Sequence, residues 1–165
     1  MKQLLKENIT GNKACYKTLF KFKKGIKHLH FRFDAFNSTF NSYSNKYNDN
    51  LYQADVCEIF IRYGKENHYY EIEVAPNGTI FLADITNIND KFSGNLLSEC
   101  FVKAYAKICK NKYIVKISIP KNIIRTNPIE FNAFRIETDG EAPEKHLFAL
   151  HPTMCSSFHK NKQIY

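Results

Sequence analysis

Tryptophan is absent from all 165 residues, although the chain holds 14 Phe and 10 Tyr. Any aromatic platform offered to a ligand is therefore a Phe or Tyr ring, smaller than an indole. Glycine is also scarce: there are six, none clusters with another, and neither a phosphate-cradling loop, a G-x-S-x-G turn nor a Ser/His/Asp order is present. Those absences remove the usual motifs of nucleotide binding and nucleophilic catalysis. The five cysteines (Cys15, Cys57, Cys100, Cys109 and Cys155) are odd in number and include no C-x-x-C pair. Reduced, mostly buried thiols are expected, not a disulfide framework or a zinc site. Among six histidines only His28 and His30 share one side of a strand at close spacing, and no metal site is assigned to them. No run approaches the roughly 18 apolar residues of a membrane span. Lys6, Glu7 and Asn8 interrupt the short apolar start, so no secretory leader is read there. The expectation is a soluble cytoplasmic protein without a membrane partner, secreted if a leader has been trimmed away, with its oligomeric state open.

What is present argues for a packed core. Hydrophobic residues make up 44% of the chain, and this length suits a single domain over residues 1–165 that buries roughly two-thirds of its unfolded surface. Lys and Arg number 24 against 16 Asp and Glu, a net charge of +8. The lysines are scattered among Asn and Ile and read as a solvated face, so no nucleic-acid partner is expected.

Residues 14–22 and 26–36 alternate apolar and polar side chains around "KKG" and read as a hairpin with Leu29, Phe31, Phe33 and Ala35 inward. Residues 37–50 are Asn/Ser-rich with embedded aromatics and read as a long loop. The stretch "YQADVCEIFIRYGKENHYYEIEVAPNGTIF" (52–81) reads as three strands joined at "GKEN" and "PNG". If Tyr63 faces His68, then Cys57, Ile59 and Ile61 share one face with Tyr70, Ile72 and Val74. Glu58, Phe60 and Arg62 then share the other with Tyr69, Glu71 and Glu73. Residues 101–120 repeat the pattern, with Ala104, Ala106, Ile108, Val115, Ile117 and Ile119 inward. Strands at 131–138 and 145–151 follow, separated by a turn in "DGEAPE". About nine strands and no convincing helix give an all-β protein, an antiparallel two-sheet sandwich of jelly-roll type.

Asp55 is expected at the entry of the first of these strands, satisfying local backbone donors. Glu58 and Glu73 fall opposite each other, and two facing carboxylates repel unless compensated. A cation, Arg62 or Arg135, or a ligand's hydroxyls can do this. An acid and base across a glycosidic bond is a further reading of such a pair, but nothing identifies a leaving-group site.

At "LYQADVCEIFIR", "YYEIEVAPNGTIF", "NAFRIE" and "HLFALHPTMCSSFHK" the chain resembles the family 9 carbohydrate-binding modules and their family 9-like relatives, in order and spacing over about residues 26–160. The resemblance implies a non-catalytic β-sandwich that holds a mono- or oligosaccharide between two aromatic side chains. It puts Tyr52 at the first aromatic, Glu58 at the sugar-binding carboxylate, Phe158 near the second aromatic, and Arg135 within a residue of a polar contact. Glu71 stands where those members carry Arg, and Met154 about where they carry an amide. Their structural calcium finds no ligands assigned here, and no other cofactor is expected. The candidate site is thus Tyr52, Glu58, Glu71, Arg135 and Phe158. The alternative is a sandwich that has lost the sugar site and serves as a protein-interaction or structural module.

Overall fold

The alternation seen in the sequence is realised as strands in the computed structural model, which describes residues 2–37, 39–138 and 145–160. In chain order the strands are β1 (Lys2–Leu4), β2 (Lys6–Glu7), β3 (Thr18–Lys24), β4 (His28–Phe36), β5 (Val56–Arg62), β6 (His68–Val74), β7 (Ile80–Ile88), β8 (Lys91–Leu96), β9 (Lys103–Cys109), β10 (Lys112–Pro120), β11 (Phe131–Thr138) and β12 (Lys145–Ala149). They form a five-stranded sheet, β1-β3-β4-β10-β9, and a seven-stranded sheet, β2-β12-β11-β5-β6-β7-β8, with every pairing antiparallel. The two pack as a sandwich. β5 to β8 run as a plain meander, and nothing in the strand order supports the jelly-roll winding expected from sequence.

The predicted register holds in β5 and β6: Cys57 pairs with Val74, Glu58 with Glu73, Ile59 with Ile72 and Ile61 with Tyr70. Through the "PNG" turn Val74 meets Ile80 and Ile72 meets Leu82, as the alternation requires. Pro76 leads that turn with its fixed φ, and Gly78 closes it at φ 89°, a conformation a side chain would strain. The described residues of the 37–50 segment lie outside the strands, as expected, and Phe40 among them packs edge-on against Tyr113.

Between the sheets lies the main core. Leu29, Phe31, Phe33 and Ala35 of β4 meet Val115, Ile117 and Ile119 of β10 and Cys57, Ile59, Ile61, Ile72 and Val74 of the larger sheet, all at most 1% exposed. Each fully buried side chain of this size contributes on the order of 2 kcal/mol. Ile108 departs from expectation. It is 54% exposed on β9, an edge strand no residue of which is fully buried. The three strands beyond the expected nine are β1, β2 and β8, each short or polar. The turn expected at 139–144 lies outside the described residues.

The middle of the larger sheet, β11, β5 and β6, is buried on both faces. Its second face carries another cluster, with Phe60, Tyr69, Ala83, Ile85, Phe134 and Phe158 among its members. That double burial explains why β5 reads as an almost unbroken apolar run.

Arg135 faces the gap between sheets, fully buried. Its guanidinium donates to Thr18 Oγ1 (3.0 Å) and Phe36 O (3.3 Å) of the smaller sheet and pairs with Glu137 of its own strand. Glu137 also accepts from Asn37. Arg135 thus ties the sheets together through a planar fork that Lys cannot reproduce. Arg135→Ala is expected to lower stability by roughly 3–5 kcal/mol by leaving Glu137 buried and uncompensated. Urea unfolding checks this, and a loss within 1 kcal/mol would refute the tie.

Candidate functional site

The acids of β5 and β6 point away from the main core, into a cavity of about 630 Å³ on the second face of the larger sheet. Glu58 comes from β5, Glu71 and Glu73 from β6. Phe81, Ala83 and Ile85 of β7, with Phe92, Gly94 and Leu96 of β8, form one side. Ile136, Leu147 and Lys145 form the other. Tyr52 stands on the 3-10 turn before β5, and Ser156 to His159 close over the remaining edge.

Strand pairing creates the acid cluster. Glu58 and Glu73 are direct cross-strand neighbours, and Glu71 lies two residues along β6 on the same face. The three are at most 7% exposed, and one carboxylate oxygen from each lies within 4.8 Å of the others. Burial raises the Glu58 carboxyl well above its ordinary range, the charge of Glu71 adds to this, and Lys145 opposes it. Burial does the same to Glu73, reinforced by Glu58 and Glu71, while the Tyr52 backbone N–H pulls the other way. Glu71 is pushed up to about 7, again by burial. Both sequence-proposed arginine compensators are engaged elsewhere: Arg62 pairs with Glu130 at 3.2 Å, and Arg135 with Glu137. Glu58 Oε1 and Glu73 Oε2 are buried with no hydrogen-bond partner.

His159 adds a polar arm. Its ring stacks on Phe92 at 3.7 Å, its carbonyl accepts from Asn87 Nδ2 at 2.6 Å, and Tyr69 OH meets its Nδ1 at 2.7 Å. Burial pushes its pKa down to about 4, so the ring is neutral near pH 7. If Tyr69 donates to Nδ1, the proton sits on Nε2, which faces Glu71 Oε1 at 3.8 Å.

Four of the five residues proposed from sequence line this cavity: Tyr52, Glu58, Glu71 and Phe158. Arg135 does not. It pairs with Cys57, and the pleat therefore turns it toward the inter-sheet core. Tyr52 is 45% exposed with the Lys145 ammonium 5.1 Å from its ring centre. Phe158 is only 8% exposed and stacks on Phe134 at 4.3 Å, so one face of its ring is already covered. Sequence reasoning missed Phe92, Lys145 and His159 as cavity residues. Phe92 was within reach: Asn89 and Asp90, at φ 53° and 64°, form a two-residue hairpin turn of the kind Asn and Asp favour. Asp55, expected at the strand entry, does satisfy backbone donors there. Fully buried, it accepts from the Thr138 and Asn41 N–H groups and the Thr138 hydroxyl.

Among the described residues the acid trio is the group close enough to hold a metal ion. It does not fit structural calcium well, since that ion takes six to eight oxygen ligands and only three carboxyl side chains are gathered here. Calcium ligands remain unassigned. The five cysteines are free thiols.

The fold has counterparts among solved structures. A "putative carbohydrate-binding protein" from Bacteroides uniformis superposes with a TM-score of 0.79 at 12% identity, covering 99% of this chain and 84% of its own. Two structures of a family 9 carbohydrate-binding module from Caldicellulosiruptor kristjanssonii also match. The glucose complex gives a TM-score of 0.69 at 12% identity, covering 100% of this chain and 81% of that one. The cellotriose complex gives 0.65 at 13%, covering 92% and 72%. At such identities the likeness shows a shared fold. No family model matches the chain, and no curated protein matches its sequence.

The cavity acids set a pH dependence. With Glu71 raised from 4.5 to about 7, the folded protein binds more protons than the unfolded chain between those values, so stability falls as pH rises through them. Glu58 and Glu73 act in the same direction, while His159, lowered from 6.5 to about 4, acts in the opposite one. Lys145 and the Tyr69 hydroxyl also border the group. Between about pH 5 and about pH 8, wild type should lose on the order of 3 kcal/mol relative to Glu71→Gln. Thermal unfolding of both proteins across that range checks it, and parallel curves would contradict it.

Proposed function

We propose that this protein binds a carbohydrate in the cavity on the outer face of its larger sheet, without transforming it. The observation that carries the reading is the meeting of a half-exposed aromatic ring, Tyr52, with the buried carboxyls of Glu58 and Glu71 in one cavity of about 630 Å³. A sugar ring has an apolar C–H face that stacks on an aromatic plane and a rim of hydroxyls that donate to carboxylates. The volume lies within the range of small-molecule sites. Structural neighbours crystallised with glucose and cellotriose support the same class of ligand.

The non-catalytic part of the proposal rests on the electrostatics. Glycoside hydrolysis pairs one protonated carboxyl with one held ionised. Here burial raises Glu58, Glu71 and Glu73 together, with no arginine among the described residues lining the cavity to hold one of them ionised. The alternative, a sandwich that has lost its sugar site, calls for a cleft filled by the protein's own side chains. Phe158 packed on Phe134 fills part of the space, but the remaining volume favours a ligand.

Calorimetric titration against mono- and oligosaccharides is expected to give saturable heat with at least one of them. Tyr52→Ala and Glu58→Ala should each weaken that binding about tenfold or more, some 1.4 kcal/mol. No heat from any sugar would overturn the proposal.

A further inference from the structure

We propose that the ligand is an amino sugar, whose ammonium group sits among the carboxyl groups of Glu58, Glu71 and Glu73. This rests on the carbohydrate reading above and narrows its substrate class.

The geometry of the acids points to a three-way donor. No pair of the three carboxylate oxygens is farther apart than 4.8 Å, so a single ammonium nitrogen with its three protons can reach all of them. A second observation comes from the unpaired atoms: Glu58 and Glu73, each 1% exposed, line the cavity and keep Oε1 and Oε2 respectively without a partner. These are acceptors that the protein itself leaves open, and a buried acceptor without a donor is costly.

Charge and size narrow the donor. Among the described residues three acids line the cavity against one cationic side chain, Lys145, placed at the Tyr52 ring. A neutral hydroxyl brings one proton and two lone pairs, the latter facing carboxyl oxygens. An ammonium brings three protons, no lone pair and a positive charge that favours the ionised form of the acids against the burial that opposes it. A bare metal ion satisfies the acids but leaves most of the cavity, with its Tyr52, Phe92 and Leu96 walls, unfilled. An aminated sugar ring occupies both parts, with its ammonium on the acids and its C–H face against the apolar walls.

The test is calorimetry of the full chain with glucose, N-acetylglucosamine and the 2-amino, 3-amino and 6-amino derivatives of glucose, and separately with calcium chloride and putrescine. At least one aminated glucose is expected to bind about tenfold or more tighter than glucose, and acetylation should remove the gain for the 2-amino compound. Glu73→Gln should reduce the preference for amine over hydroxyl, read as the ratio of the two affinities. Glucose binding as tightly as every amino derivative would overturn the inference and leave the carbohydrate reading standing. Putrescine or calcium binding without any sugar would overturn both. Calcium required for sugar binding would overturn the ammonium assignment alone. The wild-type preference needs no variant, so a poorly folded Glu73→Gln would not shield the proposal.

Discussion

The pairing of Glu58 with Glu73 across β5 and β6 decides what each face of the larger sheet becomes. Because side chains alternate along a strand, this one register sends Cys57, Ile59 and Ile61 to the inter-sheet core and Glu58, Phe60 and their cross-strand partners to the outer face. A slip of one residue would bury acids against the smaller sheet and strand apolar side chains in the cavity. The hairpin ends guard against it. Gly64 at φ 99° and Asn67 at φ 56° close the first turn, and a Cβ on Gly64 would lie 2.9 Å from that of Arg125. Asp55 fixes the start of β5 by accepting the Thr138 N–H at 2.7 Å and the Asn41 N–H at 2.8 Å.

The same alternation made much of the fold legible from sequence. Where strands are buried and end in Gly or Asn turns, as in β4 to β7 and β10, apolar patterning located them and gave the facing residues. Where burial is absent the signal vanishes. β8 is exposed along its whole length and contains Ser93, Gly94 and Asn95, so only the Asn89-Asp90 turn before it marks it as a strand. Yet it supplies one wall of the cavity. The site was therefore read from its β5 and β6 side, where the acids interrupt an apolar run, and not from the β8 side.

Arg135 shows a different limit. Its position beside expected sugar contacts suggested a ligand role, while strand parity alone, through its pairing with Cys57, points it into the sandwich. Its sequence neighbour Phe134 does face outward and stacks on Phe158. One residue along a strand separates the sheet-bridging guanidinium from the aromatic floor of the candidate site. Side-chain type proposed the role, and the pleat decided the address.

The two faces of the larger sheet also treat buried charge in opposite ways. On the inner face the Arg135 guanidinium is met by Glu137, the Thr18 hydroxyl and the Phe36 carbonyl, so the charge is neutralised within the fold. On the outer face Glu58, Glu71 and Glu73 share one small volume without an arginine, and two of their oxygens are left unpaired. Low polarity strengthens every interaction made there and makes every missing one more costly. The inner guanidinium keeps a counter-charge even though its Nε has no partner, whereas the outer acids lie beside open volume and an exposed aromatic ring. Local rules of polar satisfaction fail where binding supplies the missing partner, and this contrast between faces is what gives the cavity, among the features of the sandwich, its claim to function.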